Sequence, residues 1–201
     1  MGLRDLKFKA VYHPGMPGEN IIGDMLIPAL SQASTYQRVA GYFSSTSLAV
    51  AAQGIAGMVS AGGRYQLVTS HELVKTDLTN LKDAYNSEEL EESLIQSFLD
   101  SWRELASLEE AIKKKHVEAM LWLLKEGRLE VRIVVPYRND ELVLDKAMVD
   151  KFHPKFGIIT DKTGDSIAFA GSANESMNAW FRNLENVMVY KSWLPGQDEY
   201  V

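Results

Sequence analysis

The sequence predicts an α/β fold, a mixed β-sheet flanked by helices on both faces and interrupted by a long helical insertion. Three observations lead there. Short apolar runs bounded by Gly, Pro and polar clusters alternate with Ala-rich or amphipathic stretches, as strands alternate with helices. In the first half the order strand, helix, strand (Gln37–Phe43, Ser47–Ser60, Arg64–Ser70) implies a right-handed parallel crossover. In the second half two apolar runs, Phe152–Thr160 and Ser166–Ala170, are joined by Asp161-Lys162-Thr163-Gly164-Asp165 and read as a hairpin, which adds antiparallel pairing.

In chain order, Met1–Glu19 holds the turns Pro14-Gly15 and Pro17-Gly18 and reads as an arm, or a strand followed by loop. From Asn20, Ile21, Ile22, Met25, Leu26 and Leu30 fall at helical spacing, with Pro28 expected near the helix end. Gln37–Phe43 is a buried strand. Ser47–Ser60 is an Ala-rich helix able to pack closely on a sheet, and Gly62-Gly63 stops it before Arg64–Ser70. Between Glu88 and Glu126, apolar positions at Leu90, Leu94, Phe98, Leu105, Leu108, Ile112, Met120 and Leu124 mark one or two amphipathic helices, ended by Gly127. Residues 71–128 therefore form a helical insertion, longer than a minimal crossover of about a dozen residues, serving as cover or as a dimer contact. Leu129–Val135, closed by Pro136, is a third buried strand. Asn139–Asp150 is a charged connection, and Asn186–Tyr190 is the last strand. The 201 residues read as one domain, with 1–19 as the arm and 194–201 as a tail or a linker to a further domain.

Composition narrows the function classes. With 46% hydrophobic and 24% charged residues the chain can bury an ample core. It has no cysteine, which excludes disulfides and thiolate metal sites. No apolar run approaches the roughly 18 residues of a membrane span, and the opening Met1–Ala10 is charged, so a cytoplasmic protein is expected. The formal charge of −6 argues against indiscriminate binding to nucleic acid. It is unevenly placed: residues 71–126 hold 7 basic and 13 acidic side chains, and the remainder is neutral.

The chemistry is concentrated between Phe152 and Tyr190. Residues two apart in a strand share a face, so His153, Lys155 and Gly157 would present an imidazole and an ammonium together. Gly171-Ser172-Ala173-Asn174 follows the hairpin's second strand. Ser172 with Glu175 fits a capping box, which would start a helix there and offer free N–H groups to an anion such as phosphate. Lys155, Ser172, Asn174 and that helix start would then surround one phosphate, with His153 able to attack it. Glu185 could hold the other imidazole nitrogen and fix its tautomer.

His153-x-Lys155, then Gly171-Ser172-x-Asn174, then Glu185-Asn186 entering a final apolar strand resembles the signature of the phospholipase D superfamily, particularly its single-motif nucleases. The family pattern commonly has Asp five residues after the Lys; Thr160 stands there, and Asp161 is one place late. The resemblance implies a phospholipase D-like fold and two-step displacement at phosphorus. One His forms a phosphohistidine while a second protonates the leaving oxygen and then activates water. His153, Lys155 and Glu185 are then the catalytic candidates, with Lys155, Gly171, Ser172 and Asn174 binding phosphate and no cofactor needed. Only one motif is present, because His13, His71 and His116 lack Lys two places on. A second copy in a homodimer with its axis through the site would complete it.

A second resemblance lies in the first half. Pro17-Gly18-Glu19, Leu26-Ile27-Pro28, Gly41-Tyr42-Phe43-Ser44-Ser45 and Gly62-Gly63 are similar to phospholipase D-like modules at the front of bacterial restriction and phage-defence helicases. A nuclease acting on DNA, fused to or partnered with a helicase, is the function implied. The alternatives are a non-catalytic DNA-binding module for such a helicase and a phospholipid-processing enzyme, the latter opposed by the absence of a membrane-seeking segment.

Several residues have a plainer reading. Arg38 and His71 lie near the ends of predicted strands, where open α/β sheets bind ligands, and are secondary candidates beside an ordinary surface role. Lys113-Lys114-Lys115-His116 is surrounded by acids and reads as a solvated face. A metal is not expected, since His153 has no second His or carboxylate at ligand spacing. Serine-hydrolase chemistry fits poorly, because Gly171–Asn174 lacks the Gly-x-Ser-x-Gly elbow.

Overall fold

The computed structural model describes residues 1–43, 46–70, 119, 122–134, 137–138, 141–142 and 152–201. Their strands are β1 (Val11–Tyr12), β2 (Ala33–Ala40), β3 (Arg64–Ser70), β4 (Leu129–Val134), β5 (Tyr137–Arg138), β6 (Glu141–Leu142), β7 (Lys155–Asp161), β8 (Ser166–Gly171) and β9 (Val187–Lys191). Seven of them form one mixed sheet in the order β1-β9-β8-β7-β2-β3-β4, and β5 and β6 pair separately. β2, β3 and β4 run parallel, whereas β7, β8 and β9 pair antiparallel with their neighbours. The helices are α1 (Ile27–Gln32), α2 (Thr46–Val50), α3 (Ala52–Ser60) and α4 (Met177–Phe181).

The parallel β2–α3–β3 unit and the β7–β8 hairpin are those the sequence predicts, and the differences have local causes. The first long strand starts at Ala33 and stops at Ala40, because the next pair is Gly41 with Pro154: the Gly41 N–H donates to the Pro154 carbonyl at 3.0 Å, but proline has no N–H to return the bond and the ladder ends. Pro28 does not end its helix. A π turn over Ile22–Leu26 runs directly into α1, which begins at Ile27, and the widened turn ahead of Pro28 accommodates a residue that has no N–H to donate. The helix expected over Ser47–Ser60 breaks at Ala51, which leaves helical geometry at φ −100° and ψ 12°. Residues 122–125 are helical, and Gly127, at φ 61°, ends them as expected. Residues 71–118 of the insertion, with Lys113–His116, lie outside the described residues, as does nearly all of the 139–150 connection.

The arm belongs to the sheet. β1 is the seventh strand, pairing with the edge of β9, and Leu3, Phe8 and Tyr12 are buried in the common core. Each large side chain so buried contributes about 1.5–3 kcal/mol. Tyr36 and Tyr65 stack across β2 and β3 with centroids 4.5 Å apart, and Phe169 meets Trp180 of α4 edge-on at 6.5 Å. The other face carries a polar ladder, in which Gln37 donates to Gln66 at 3.0 Å and Gln66 to Glu130 at 2.8 Å.

Asp161 fastens the arm. Its carboxylate accepts from the Leu3 N–H, the Thr163 N–H and hydroxyl, and the Asp165 N–H. Burial pushes this carboxyl up, but those bonds outweigh it and hold it below the usual carboxylate range. The C-terminal residues fold back onto β9, with Tyr200 stacked on Tyr190 at 4.8 Å. No helix among the described residues is long and apolar enough to cross a membrane.

Candidate active site

Strand register gathers the motif. Ala40 pairs with Lys155, Phe156 with Ala170, and Gly171 with Val187, so one end of β2, β7, β8 and β9 shares a rim. Just beyond that rim lie Gly41, His153-Pro154, Ser172–Glu175 and Glu185-Asn186.

Gly41 and Tyr42 are the hinge of this cluster. A Cβ at Gly41 would stand 2.7 Å from the Phe152 carbonyl oxygen and 2.9 Å from the His153 Cα. Only glycine lets β2 pass so close to the histidine. On the next residue, the Tyr42 N–H donates to Asn174 Oδ1 at 3.2 Å, and the Tyr42 carbonyl accepts the Glu175 N–H at 3.2 Å. His153 and Asn174 thus contact consecutive residues of one strand end. Because Asn174 spends its oxygen on Tyr42, its two amide hydrogens are left to donate to an acceptor such as phosphate. His153 is exposed.

Lys155 is buried, and its Nζ donates to the His153 carbonyl at 3.0 Å, tying the ammonium to the backbone of the nucleophile candidate. Burial lowers its pKa, the Arg38 cation lowers it further, and Glu185 opposes both. An anion bound beside this ammonium would offset that penalty.

Ser172 and Glu175 depart from the capping box. Ser172 Oγ accepts the Asn186 N–H at 3.1 Å, and the Ser172 N–H donates to the Asn186 carbonyl at 3.1 Å. The helix starts only at Met177, where Ser176 Oγ accepts the Ala179 N–H. The reason is Glu175. Instead of folding back to Ser172, its carboxylate is taken by Arg38 at 2.8 Å, with both side chains almost fully buried. No helix N-terminus therefore stands at Ser172, and the anion-binding potential rests on Lys155, Asn174 and Ser172 themselves. Gly171 lies against the Asn186 carbonyl with no room for a side chain.

Glu185 sits on the same rim and within electrostatic reach of Lys155, but it is not hydrogen-bonded to His153. Its carboxylate accepts from Asn183 Nδ2 at 3.2 Å, and its N–H donates to the Pro14 carbonyl. Asp161 ends β7, the strand Lys155 begins, six residues and about 20 Å away. It belongs to the arm and not to the site. His71 lies outside the described residues.

Arg38 is not at the surface. Its Nη2 donates to the Ala173 carbonyl at 2.7 Å, its Nε to Glu175, and its guanidinium lies over Phe169 at 5.1 Å and Trp180 at 5.6 Å. Burial favours a neutral guanidine, and Glu175, with smaller help from Tyr36 and Tyr65, more than restores the cation. Burial also pushes the Glu175 carboxyl up against the pull of Arg38. The Tyr36 hydroxyl reaches the same carboxylate oxygen at 3.5 Å.

Two further features are not read from the sequence. His13 Nδ1 lies 2.8 Å from Asn186 Oδ1, so the arm brings a second imidazole to the rim of the Ser172 turn. The Thr69 hydroxyl, fully buried and unpaired among the described residues, occupies the same register row as Ala40 and Lys155. An arginine inside an apolar run, followed far along the chain by a glutamate next to the Asn174 turn, was the available signal for the Arg38–Glu175 pair. Among the described residues no three His, Asp or Glu side chains cluster to hold a metal.

A profile of the family described as "Cardiolipin synthase, PLD-like domain" matches residues 26–199. Among solved structures, the chain is similar to a phosphatidylserine synthase of Haemophilus influenzae Rd KW20, at 14% identity and a TM-score of 0.51 over 94% of this chain and 35% of that one. It is also similar to NucT from Helicobacter pylori, at 18% identity and a TM-score of 0.48 over 91% of this chain and 85% of the other. A third likeness is to Nuc from Salmonella typhimurium, a phospholipase D family member, at 12% identity and a TM-score of 0.41 over 89% and 80%. No curated protein sequence matches.

Proposed function

The chain belongs to the PLD-like domain family, and from that membership and the rim geometry we propose that it is a metal-independent phosphodiesterase cleaving nucleic acid through a phosphohistidine. The observation that carries this reading is the meeting of His153 and Asn174 on Gly41-Tyr42, with the Lys155 ammonium bonded to the His153 carbonyl.

In this mechanism a scissile phosphate lies against Lys155 and the Asn174 amide, which neutralise its charge as it builds in the transition state. The His153 lone pair attacks phosphorus, the P–O bond to the leaving oxygen breaks, and a protonated second imidazole gives that oxygen its proton. The same imidazole then takes a proton from water, whose oxygen attacks phosphorus and breaks the P–N bond, freeing His153. The second imidazole is His153 of a second copy, so the working unit is a homodimer. DNA is the substrate, and the setting is the cytoplasm, as the nuclease module of a restriction or defence helicase. Glu185 orients His153 once substrate is bound.

A second reading, a non-catalytic DNA-binding module for such a helicase, is favoured by one fact: Glu185 is engaged by Asn183 and not by His153. One experiment separates the two. Single- and double-stranded DNA and RNA, with a phosphatidyl ester as a further arm, are incubated with wild type and His153→Ala in EDTA. The proposal expects cleavage of nucleic acid by wild type and none by the variant. Binding of DNA without cleavage supports the second reading, and turnover of the phosphatidyl ester alone overturns both.

A further inference from the structure

Arg38 plays no part in the mechanism above, yet it is among the largest fully buried side chains of the protein. Bringing two charges out of water costs several kcal/mol per ion, and apolar replacements of buried ion pairs are often as stable. Core packing alone therefore does not account for the pair. Its geometry does. The guanidinium grips the chain on both sides of Asn174, at the Ala173 carbonyl and at the Glu175 carboxylate. It cannot swing, because Phe169 and Trp180 both lie within 6 Å of it. It projects from β2 three residues before Gly41, the residue pressed against His153.

We propose that the buried Arg38–Glu175 pair is the positioning element of the phosphate site, fixing the Asn174 turn to the same strand that fixes His153. The inference rests on the reading of that site as a phosphate site. Asn174 lies between the two gripped residues, and its oxygen is held by the Tyr42 N–H, so its amide hydrogens are aimed before any ligand arrives. A planar fork with two fixed donor directions can set both the place and the tilt of the turn, which a point charge cannot.

The test uses inorganic phosphate as the probe. The double variant Arg38→Met with Glu175→Gln removes both charges but leaves an acceptor for the Tyr36 hydroxyl. It should melt cooperatively like wild type yet bind phosphate about tenfold more weakly or worse, the loss of roughly one charge-assisted hydrogen bond. Its Asn174 side-chain and Tyr42 backbone amide signals in nitrogen-15 NMR should move. Arg38→Lys keeps the cation without the fork and should also lose affinity. Ile159→Val, a core change off the site, should keep wild-type affinity although it removes a buried methyl. Wild-type affinity in the double variant, or in Arg38→Lys, overturns the inference, as do unmoved Asn174 and Tyr42 signals. If wild type itself binds no phosphate, the functional reading falls, and the amide signals alone decide whether the pair sets the turn.

Discussion

Replacing Gly41 by alanine tests the link between β2 and the histidine. The new methyl carbon would stand 2.9 Å from the His153 Cα and 2.7 Å from the Phe152 carbonyl oxygen. Carbon pairs settle at about 3.5–4.0 Å, so the His153 backbone must retreat by about 0.6 Å or more. Neither neighbouring atom is the free end of a flexible side chain, so the strain cannot be shed by a rotamer change. Overpacking of this kind costs about 1–3 kcal/mol, which for a chain of this size lowers the melting temperature by roughly 2–12 °C. The effect on chemistry should be larger in proportion. Misplacing a reacting group by about 1 Å costs up to about 100-fold, so kcat should fall about 10- to 100-fold at a temperature where the variant is fully folded. The assay is cleavage in EDTA, with melting followed by circular dichroism and Ile159→Val as the control for stability loss. Unchanged kcat in folded Gly41→Ala would show that the geometry of the Gly41–His153 contact does not set the position of a nucleophilic His153, as the proposed mechanism requires.

Other consequences follow from the same geometry. Once inorganic phosphate is fully dianionic, its affinity should fall as pH rises further through the Lys155 pKa, which burial places below the ordinary 10.5; titration calorimetry should show that alkaline loss in wild type and not in Lys155→Met. For folding the sign is opposite, since a lysine with a lowered folded-state pKa costs stability while charged and relieves that cost as pH climbs past it. Mixing His153→Ala chains into wild type should lower activity as the square of the wild-type fraction if two chains share each site; a linear fall would return the second imidazole to the same chain, with His13 the residue to examine. Asp161→Asn should cost about 2 kcal/mol by weakening charge-assisted bonds to Leu3, Thr163 and Asp165. In wild type that stability should be complete above pH 3.8 and disappear as pH falls through the lower folded-state value, which urea melts between pH 2 and 6 would trace.

Some of this was legible because local signals agreed. Arg64–Ser70 lies between a Gly-Gly stop and the insertion, and its strand has those bounds. His153, Lys155 and Asn174 could be placed together because hairpin register is set by turn length. The capping box at Ser172 misled because a local pattern competed with a distant partner: a glutamate three residues on prefers the nearby N–H only until a buried arginine offers a full charge. That arginine is 137 residues away in sequence, beyond any periodicity argument. The sequence leaves Met1–Glu19 as an arm or a strand followed by loop, and which of the two holds is decided by a distant contact for a related reason. Two residues carry no detectable alternation, and their pairing depends on where Asp161 pins Leu3. Pro28 misled because a π turn, invisible in apolar spacing, lets a helix begin around it.

The arm has an importance out of proportion to its two paired residues. Without it, β9 would be the border of the sheet, with Val187 and Val189 beside an open row of amide and carbonyl groups that any extended segment could join. β1 occupies that row, and the Val189 N–H is taken by the Ala10 carbonyl at 2.9 Å. The arm thus acts as a guard against strand addition by other molecules, and the guard is locked from the opposite end of the sheet by the Asp161 carboxylate. A chain clipped before Tyr12 would lose Leu3 and Phe8 from the core as well as the guard, and should associate through the bared edge of β9, which light scattering would read.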